Sequence, residues 1–239
     1  MIKVLISILI YLMALPIFIF VGILFIIFSF ILPIRLMYQS SRIVSWIVLK
    51  SLFIRLKIIG DPPHPGKHIY MFNHSSFIDV FLFAYLMQGL TIVIAAKETF
   101  KIPIWGSMLK RFNAIPIERK NKNSAINSIT IAQDMLSKGY DVVILPEGTR
   151  TITGDLIRFK KGGFHMAYNT KASIVPVGCI GAFEYKAKNR WILSPRTVIL
   201  KFGTPTDPST YEELVVDGLL SKVEQEIKKL TNRKFEDEV

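Results

Sequence analysis

A histidine and a carboxylate in the segment Asn73–Asp79 have the types and spacing of an acid–base pair. His74 precedes Asp79 by five positions. An imidazole has an ordinary pKa near about 6.5 and accepts a proton at neutral pH, and a carboxylate on its other ring nitrogen fixes the tautomer. The same residues also fit a helix start, because Ser76-Phe77-Ile78-Asp79 resembles a capping box. Local sequence leaves both interpretations open.

A second polar group lies in Leu145–Thr151, directly after an apolar run. Gly148 would let the backbone approach a ligand closely, and Arg150 offers a planar fork to a phosphate or carboxylate. Glu147 could accept a hydrogen bond from a hydroxyl or hold an arginine. The alternative is a surface turn with an Arg–Glu pair. Two more basic residues that could bind an anion follow apolar stretches: Lys97 and Arg119.

The scaffold for these residues is predicted by apolar runs that alternate with helical stretches. This alternation favours an α/β fold with a largely parallel sheet flanked by helices. Ligands of such sheets lie beyond the carboxyl ends of the strands, which is where both polar groups fall. The predicted strands are Ile54–Ile59, His68–Phe72, Thr91–Ala95, Val142–Leu145, Ile174–Val177 and Thr197–Phe202. The predicted helices are Phe77–Met87, Pro103–Arg111, Ser124–Ser137, Gly163–Tyr168 and Tyr211–Leu230.

The N-terminal segment predicts a membrane-associated helix. Between Val4 and Ile34 the only ionisable side chain is that of Tyr11. This run exceeds the about 20 residues that span a bilayer and the about 7–15 of a secretory signal core. Pro16 and Gly22 interrupt it, so a kinked span, a re-entrant hairpin and a shallow in-plane pair of helices all remain open.

Basic residues recur after the apolar run, at Arg35, Arg42, Lys50 and Lys57. Their spacing predicts one face of a helix lying on anionic headgroups, or else a core helix with a solvated face. We therefore expect a membrane anchor in residues 1–58 and an α/β domain in residues 59–239. If the apolar run spans the cell membrane, the cations after it outnumber those before it, so the domain is expected on the cytoplasmic side.

The charge distribution limits the classes of partner that the protein is expected to bind. The net charge is +12, of which residues 1–60 carry +6, residues 61–210 carry +9 and residues 211–239 carry −3. The positive charge of residues 1–60 adjoins the apolar anchor, where phospholipid headgroups are the natural partner. The second belongs to the α/β domain and fits a phosphorylated substrate. This division argues against a nucleic-acid partner. We expect the last residues, Lys234–Val239, to form a solvated tail.

Several enzyme and site classes are excluded by motif or composition. Cys179 is the single cysteine, so neither a disulfide framework nor a cysteine-based zinc site can form. The sequence contains no G-x-S-x-G, no H-E-x-x-H and no G-x-G-x-x-G. No nucleophilic serine of the α/β-hydrolase type is therefore supported.

Four segments in order resemble the motif blocks of the glycerolipid acyltransferases. They are Asn73–Asp79, Ala114–Arg119, Leu145–Thr151 and Ile174–Val177. The third, with its P-E-G-T-R sequence, is the most specific. The second lacks the glycine and aromatic residue often found before its arginine. The chain most resembles the bacterial enzymes that acylate 1-acyl-glycerol-3-phosphate to phosphatidic acid.

This resemblance implies an acyl transfer from acyl-CoA or acyl carrier protein to a free sn-2 hydroxyl, without an acyl-enzyme, a metal or a further cofactor. His74 would be the general base and Asp79 would orient it. The residues implied to bind the glycerol phosphate are Arg119, Glu147, Gly148, Arg150 and, with less support, Lys97. Two alternatives remain open at this stage: another acceptor, such as glycerol 3-phosphate or a lysophospholipid, and a non-catalytic basic membrane-binding protein.

Overall fold

The computed structural model describes residues 1–87, 89–118 and 121–236. Two N-terminal helices precede an α/β domain, as the sequence predicts. They are α1 (Ile2–Ser29) and α2 (Ile34–Ser51). Because α2 ends at Ser51, the predicted basic stripe includes Arg35, Arg42 and Lys50, but its extension to Lys57 is wrong. Lys57 lies in the first strand instead.

The sheet of the α/β domain has seven strands within the described residues, in the order β1-β7-β6-β2-β5-β3-β4. Every neighbouring pair is parallel except β6 and β7, which are antiparallel. The predicted, largely parallel sheet is therefore confirmed. The strands are β1 (Arg55–Ile59), β2 (His68–Phe72), β3 (Thr91–Ala96), β4 (Ile115–Ile117), β5 (Asp141–Ile144), β6 (Ser173–Ile180) and β7 (Thr197–Phe202).

Strand β4 was not predicted from the sequence. It is three residues long and contains Pro116, both of which weaken a strand pattern. The proline is tolerated because β4 lies at the edge of the sheet, paired only with β3. Strand β1 pairs with β7, so the sheet already includes residues 55–58. The division of the chain at residues 58 and 59 stays a prediction.

The predicted helices of the α/β domain all form, with ends that differ by a few residues. Two short 3-10 helices, Lys97–Lys101 and Pro208–Thr210, and the short α7 were not predicted. The α-helices are α3 (Asp79–Leu86), α4 (Trp105–Arg111), α5 (Lys122–Ser137), α6 (Gly162–Thr170), α7 (Ala182–Tyr185) and α8 (Tyr211–Thr231).

Both faces of the sheet are covered by helices, which is visible in the alternation along β2. Tyr70 and Phe72 join one apolar cluster with residues of α2 and α3, whereas Ile69 and Met71 join a second with residues of α5, α6 and α8. Strands buried on both faces read as continuous apolar runs, which explains why these elements were predictable.

Helix α1 packs along one face of the domain, and most of its remaining large apolar side chains are exposed. Within the described residues it is the one helix long and apolar enough to cross a membrane. Its contacts extend along nearly its whole length. They are Ser7 with the backbone of Leu193, Tyr11 with Trp191, Phe18 with Phe81, Phe25 with Phe112 and Ser29 with Arg111.

Close packing of α8 against β6 gives a stability prediction at Gly178. A Cβ atom there would lie 2.7 Å from Cβ of Leu230, so Gly178→Ala must displace α8. We expect a loss of about 1–3 kcal/mol in the free energy of unfolding, as for other overpacked cores. Denaturant unfolding of the detergent-purified protein measures it.

Gly218→Ala is the matched control, because it lies in α8 and its added Cβ would meet only Leu214 at 3.4 Å. We expect it to stabilise the protein by about 0.5–1 kcal/mol through helix propensity. Equal stability of the two variants would contradict the packing of α8 on β6.

Candidate active site

Asn73 fixes the loop that leaves β2. Its side-chain oxygen accepts the N–H of Cys179 at 2.6 Å, and its amide donates to the carbonyl of Cys179 at 3.0 Å. The amide also donates to Ser75 Oγ at 3.1 Å. The side chain thus extends the pairing of β2 with β6 by one step beyond the last strand residue. The loop that follows starts from a rigid point.

His74 and Asp79 are brought together at the start of α3. The Nδ1 atom of His74 lies 2.8 Å from Oδ2 of Asp79. The same Asp79 oxygen accepts the backbone N–H groups of Ser75 and Ser76 at 2.8 and 3.0 Å. Asp79 therefore binds the imidazole and holds the loop before the helix. The alternative capping box does not form, because α3 begins at Asp79 and the Ser76 hydroxyl donates to the carbonyl of Lys186. With Nδ1–H donated to Asp79, Nε2 is the ring nitrogen available as a base.

Glu147 is buried behind this pair and holds the backbone of His74. Its Oε1 accepts the N–H of His74 at 2.7 Å, and its Oε2 accepts the N–H of Ile157 at 3.2 Å. The carbonyl of His74 accepts the N–H of Thr151 at 3.0 Å. Glu147 is 2% exposed, so the direct contact with a substrate phosphate implied by the resemblance does not match its position.

Burial raises the pKa of Glu147 to about 8, and the neighbouring carboxylates of Asp79 and Glu236 act in the same direction. The two backbone N–H groups lower it and offset only part of this effect. The carboxyl is therefore mainly protonated at neutral pH. A protonated carboxyl suits this position, because burying an unpaired negative charge costs more than burying a neutral acid.

Gly148 and Arg150 occupy the same loop with different roles. The N–H of Gly148 donates to the carbonyl of Leu145 at 2.9 Å, and its φ of 73° lies in the left-handed region that favours glycine. Gly148 therefore shapes the turn, rather than offering its N–H to a phosphate. Arg150 follows the turn and lines the cavity beside His74.

This cavity has a volume of about 660 Å³ and combines a polar end with apolar walls. The polar part of the lining includes His74, Ser76, Thr149, Arg150 and Lys188. Helices α1, α2 and α3, strand β3 and helix α4 supply the walls, so the N-terminal helices contribute directly to it. The apolar lining includes Tyr11, Leu15, Phe18, Leu52, Phe81, Ile94 and Trp105.

The two remaining residues that were predicted to bind an anion are Lys97 and Arg119. Lys97 is exposed and pairs with Glu118 at 3.3 Å, and it does not line the cavity. Its expected contact with substrate has no support from this position. Arg119 lies outside the described residues, so its role stays a prediction from the resemblance.

The C-terminal segment was predicted to be a solvated tail, and for Lys234–Glu236 this is wrong. Phe235 is buried against Phe159, and the backbone of Leu156 bonds to that of Lys234 and Glu236 at 2.7 and 2.9 Å. Oε1 of Glu236 accepts two hydrogen bonds, from Thr151 Oγ1 at 3.1 Å and from Thr153 Oγ1 at 3.0 Å. The segment thus braces the loop that carries Ile157. Residues 237–239 lie outside the described part.

Comparisons with known proteins identify the family. The acyltransferase family model matches residues 54–180, which is more than half of the chain and contains the site just described. The chain belongs to the acyltransferase family. This match contains all four motif blocks named above. In this acyltransferase, strands β1 to β6 fall entirely within the matched range.

Curated relatives of this acyltransferase carry one common description. The chain is 33% identical over 175 residues to a 1-acyl-sn-glycerol-3-phosphate acyltransferase of Cocos nucifera, covering 73% of this chain and 56% of that protein. It is 29% identical over 164 residues to the protein of that name from Haemophilus influenzae, covering 68% of each. The chain spans little more than half the length of the coconut relative.

A solved structure has the same fold as this acyltransferase. It is the 1-acyl-sn-glycerophosphate (LPA) acyltransferase of Thermotoga maritima, with a TM-score of 0.81 and 24% sequence identity, covering 95% of this chain and 93% of that one. The coverage extends the likeness to nearly the whole chain, including at least part of the N-terminal helices.

The raised pKa of Glu147 predicts a pH-dependent stability. In the unfolded chain the pKa returns toward 4.5, so the folded protein binds this proton more tightly. The stabilisation is full below about pH 4.5 and is lost as the pH rises through about 8. We expect the thermal midpoint of the wild type to fall relative to that of Glu147→Gln as the pH is raised from about 6 to about 9.

The comparison isolates Glu147, because all other titrating groups are common to both proteins. Glu147→Gln carries a constant destabilisation, since its amide offers one oxygen to the two N–H groups of His74 and Ile157. This penalty does not depend on pH. Midpoints that run parallel for the two proteins across this range would contradict the burial argument.

Proposed function

We propose that this acyltransferase transfers a fatty acyl group from an acyl thioester to the free sn-2 hydroxyl of 1-acyl-glycerol-3-phosphate, giving phosphatidic acid. The observation that carries the proposal is the His74–Asp79 pair at the polar end of a largely apolar cavity, with Arg150 in the same lining. This combination suits an amphiphile with a hydroxyl, a phosphate and an acyl chain. The names of the two relatives point to the same substrate.

In the proposed reaction, Nε2 of His74 removes the proton of the acceptor hydroxyl as its oxygen attacks the thioester carbonyl. The tetrahedral adduct formed by this attack then expels the thiolate, so the acyl–sulfur bond breaks and the ester carbonyl forms again. The imidazolium of His74 gives its proton to the thiolate or to water, which restores the base. Asp79 holds the imidazole and stabilises its positive charge. A thiol with a pKa near about 8.5 leaves without a dedicated acid. The direct attack needs no protein nucleophile.

Arg150 binds the acceptor phosphate in this proposal, and Arg119 is retained as a second candidate on the resemblance alone. Glu147 and Gly148 act on the loop rather than on the substrate, because their polar groups bond to the protein backbone. The acyl donor is acyl-CoA or acyl carrier protein, and the positive charge of the α/β domain favours either anionic carrier.

The enzyme works at the surface of the cell membrane in this proposal. Because α1 contacts the domain from Ser7 to Ser29, the domain lies alongside the helix and not at one end of it. Such a helix fits a position in the plane of one leaflet, with its apolar side among acyl chains. Exposed Arg35, Arg42 and Lys50 on α2 then face the headgroups. These basic residues suit the anionic headgroups of the cytoplasmic leaflet.

His74→Ala tests the proposed base. With acyl-CoA and 1-acyl-glycerol-3-phosphate, we expect release of free thiol to fall by on the order of 10³-fold or more, since a positioned base contributes about 10²–10⁴-fold. We expect the variant to fold, because Asp79 still accepts hydrogen bonds from the N–H groups of Ser75 and Ser76. Circular dichroism and vesicle flotation check the fold and the membrane association.

His165→Ala is the matched control, because His165 is exposed on α6 and does not line the cavity. Its thiol release should equal that of the wild type. Activity that persists in His74→Ala would overturn the base assignment. No thiol release by the wild type, with the lipid still bound, would favour a non-catalytic binding protein instead.

The acceptor is tested by assaying 1-acyl-glycerol-3-phosphate, glycerol 3-phosphate and a neutral-headgroup lysophospholipid in parallel, each with acyl-CoA and with acyl carrier protein as donor. We expect kcat/KM to be highest for 1-acyl-glycerol-3-phosphate, because this lipid alone presents both a phosphate monoester to Arg150 and an acyl chain to the apolar walls. Preference for either other acceptor would reassign the substrate within the same reaction class.

A further inference from the structure

The segment after α7 closes over both loops of the site, although it belongs to none of the motif blocks. The carbonyl of Lys186 accepts a hydrogen bond from Ser76 Oγ at 2.8 Å. Nζ of Lys188 donates to Thr149 Oγ1 at 3.2 Å. Ser76 follows His74, and Thr149 precedes Arg150. The segment therefore joins the loop of the base to the loop of the arginine.

Two basic side chains of this segment lie near the site, and of the two Lys188 is the one that lines the cavity. Lys188 lines the same cavity as His74 and Arg150. Nζ of Lys186 lies 5.5 Å from the ring centroid of Phe77, which is also part of the lining. The pKa of Lys186 is lowered by burial, and further by the positive charges of Arg150 and Arg190. Cations at this end of the cavity thus repel one another.

No carboxylate within the described ranges forms an ion pair with Arg150, Lys186 or Lys188. Other surface lysines of the chain do have such partners. Examples are Lys97 with Glu118, Lys161 with Asp217 and Lys171 with Glu212. Arg150 and Lys186 are partly buried, and Lys188 is exposed. Clustered cations without counter-charges are destabilising in the free protein, and a bound anion relieves their repulsion.

We propose that Lys186 and Lys188 join Arg150 in binding the phosphate group of a substrate, an assignment that rests on the proposed acyl transfer. The three side chains approach from two segments, Arg150 from the loop after β5 and the lysines from the segment after α7. A phosphate monoester offers several acceptor oxygens and a charge near about −2, which suits one guanidinium fork and two ammonium groups. The source of the phosphate is the acceptor lipid or the anionic donor carrier.

Lys188→Gln and Lys186→Gln test the assignment. Both changes remove a charge and keep the backbone contact of Lys186 with Ser76. Lys186→Gln also keeps the hydrogen bond from Lys188 to Thr149, whereas Lys188→Gln removes that donor. We expect KM for 1-acyl-glycerol-3-phosphate to rise about tenfold in each variant, with kcat changed by less than about twofold. Lys188→Arg restores the charge and should recover most of the affinity. A purely structural role would lower kcat or the active fraction and leave KM unchanged.

Lys171→Gln is the control, because Lys171 is exposed, pairs with Glu212 and does not line the cavity. Measuring KM separately for the lipid and for acyl-CoA identifies the source of the phosphate: a rise for either substrate supports the site and assigns its phosphate. Unchanged KM values for both substrates in Lys186→Gln and Lys188→Gln would overturn it.

A binding measurement separates this proposal from the proposed reaction. In the His74→Ala background, equilibrium binding of 1-acyl-glycerol-3-phosphate is compared with that of the neutral 1-acylglycerol in detergent micelles. We expect Lys188→Gln to weaken the first and leave the second unchanged. If the wild type transfers no acyl group, the proposed reaction is wrong. The difference in binding between the phosphorylated and the neutral lipid still tests the phosphate site. Equal weakening of the binding of both lipids by Lys188→Gln would contradict the proposed phosphate site.

Discussion

The buried carboxyl of Glu147 is the contact on which the geometry of the site depends. It accepts the backbone N–H of His74 from one side and that of Ile157 from the other. A short loop after a strand has no regular partner for its backbone, and a buried N–H without an acceptor costs about 1–3 kcal/mol. One side chain satisfies two such groups here. It therefore fixes the loop of the base relative to the loop that carries Arg150.

The protonation of Glu147 follows from the same arrangement. Asp79 and Glu236 lie near enough to raise its pKa, so three charged carboxylates together would be unfavourable. Keeping Glu147 mainly neutral leaves Asp79 as the partner of the imidazole, with Glu236 engaged by Thr151 and Thr153. The C-terminal segment thus takes part in this balance, although it is distant from His74 in the sequence.

The sequence predicted the elements that are governed by apolar periodicity, and it missed those governed by contacts. Strand β2 and helix α8 follow from continuous or periodic apolar residues, and their predicted starts agree with the structure. Short β4 and α7 carry too few residues for a pattern. Phe235 lies in a charged C-terminus, so nothing local indicates that it packs on Phe159.

The same distinction holds for the site. The spacing of His74 and Asp79 was visible, because a five-residue separation is local chemistry. The orientation of Glu147 was not, since a glutamate beside a glycine and an arginine fits a substrate contact as well as a backbone contact. The burial of Glu147 and its two backbone N–H donors show that it makes the backbone contact. Lys188 was missed because its proximity to Arg150 arises from the return of the chain through β6 and α7.

The two basic regions and the apolar cavity form one arrangement in the folded protein. Helices α1 and α2 present apolar and basic side chains on their exposed surfaces, and their other faces line the cavity that contains His74. A lipid that leaves the bilayer beside these helices can keep its chain in apolar surroundings while its phosphate moves toward Arg150. The acyl chain of the lipid then need not cross water, where each exposed methylene costs about 0.8 kcal/mol. This saving makes the N-terminal helices part of the substrate path in the proposed reaction, in addition to any role as an anchor.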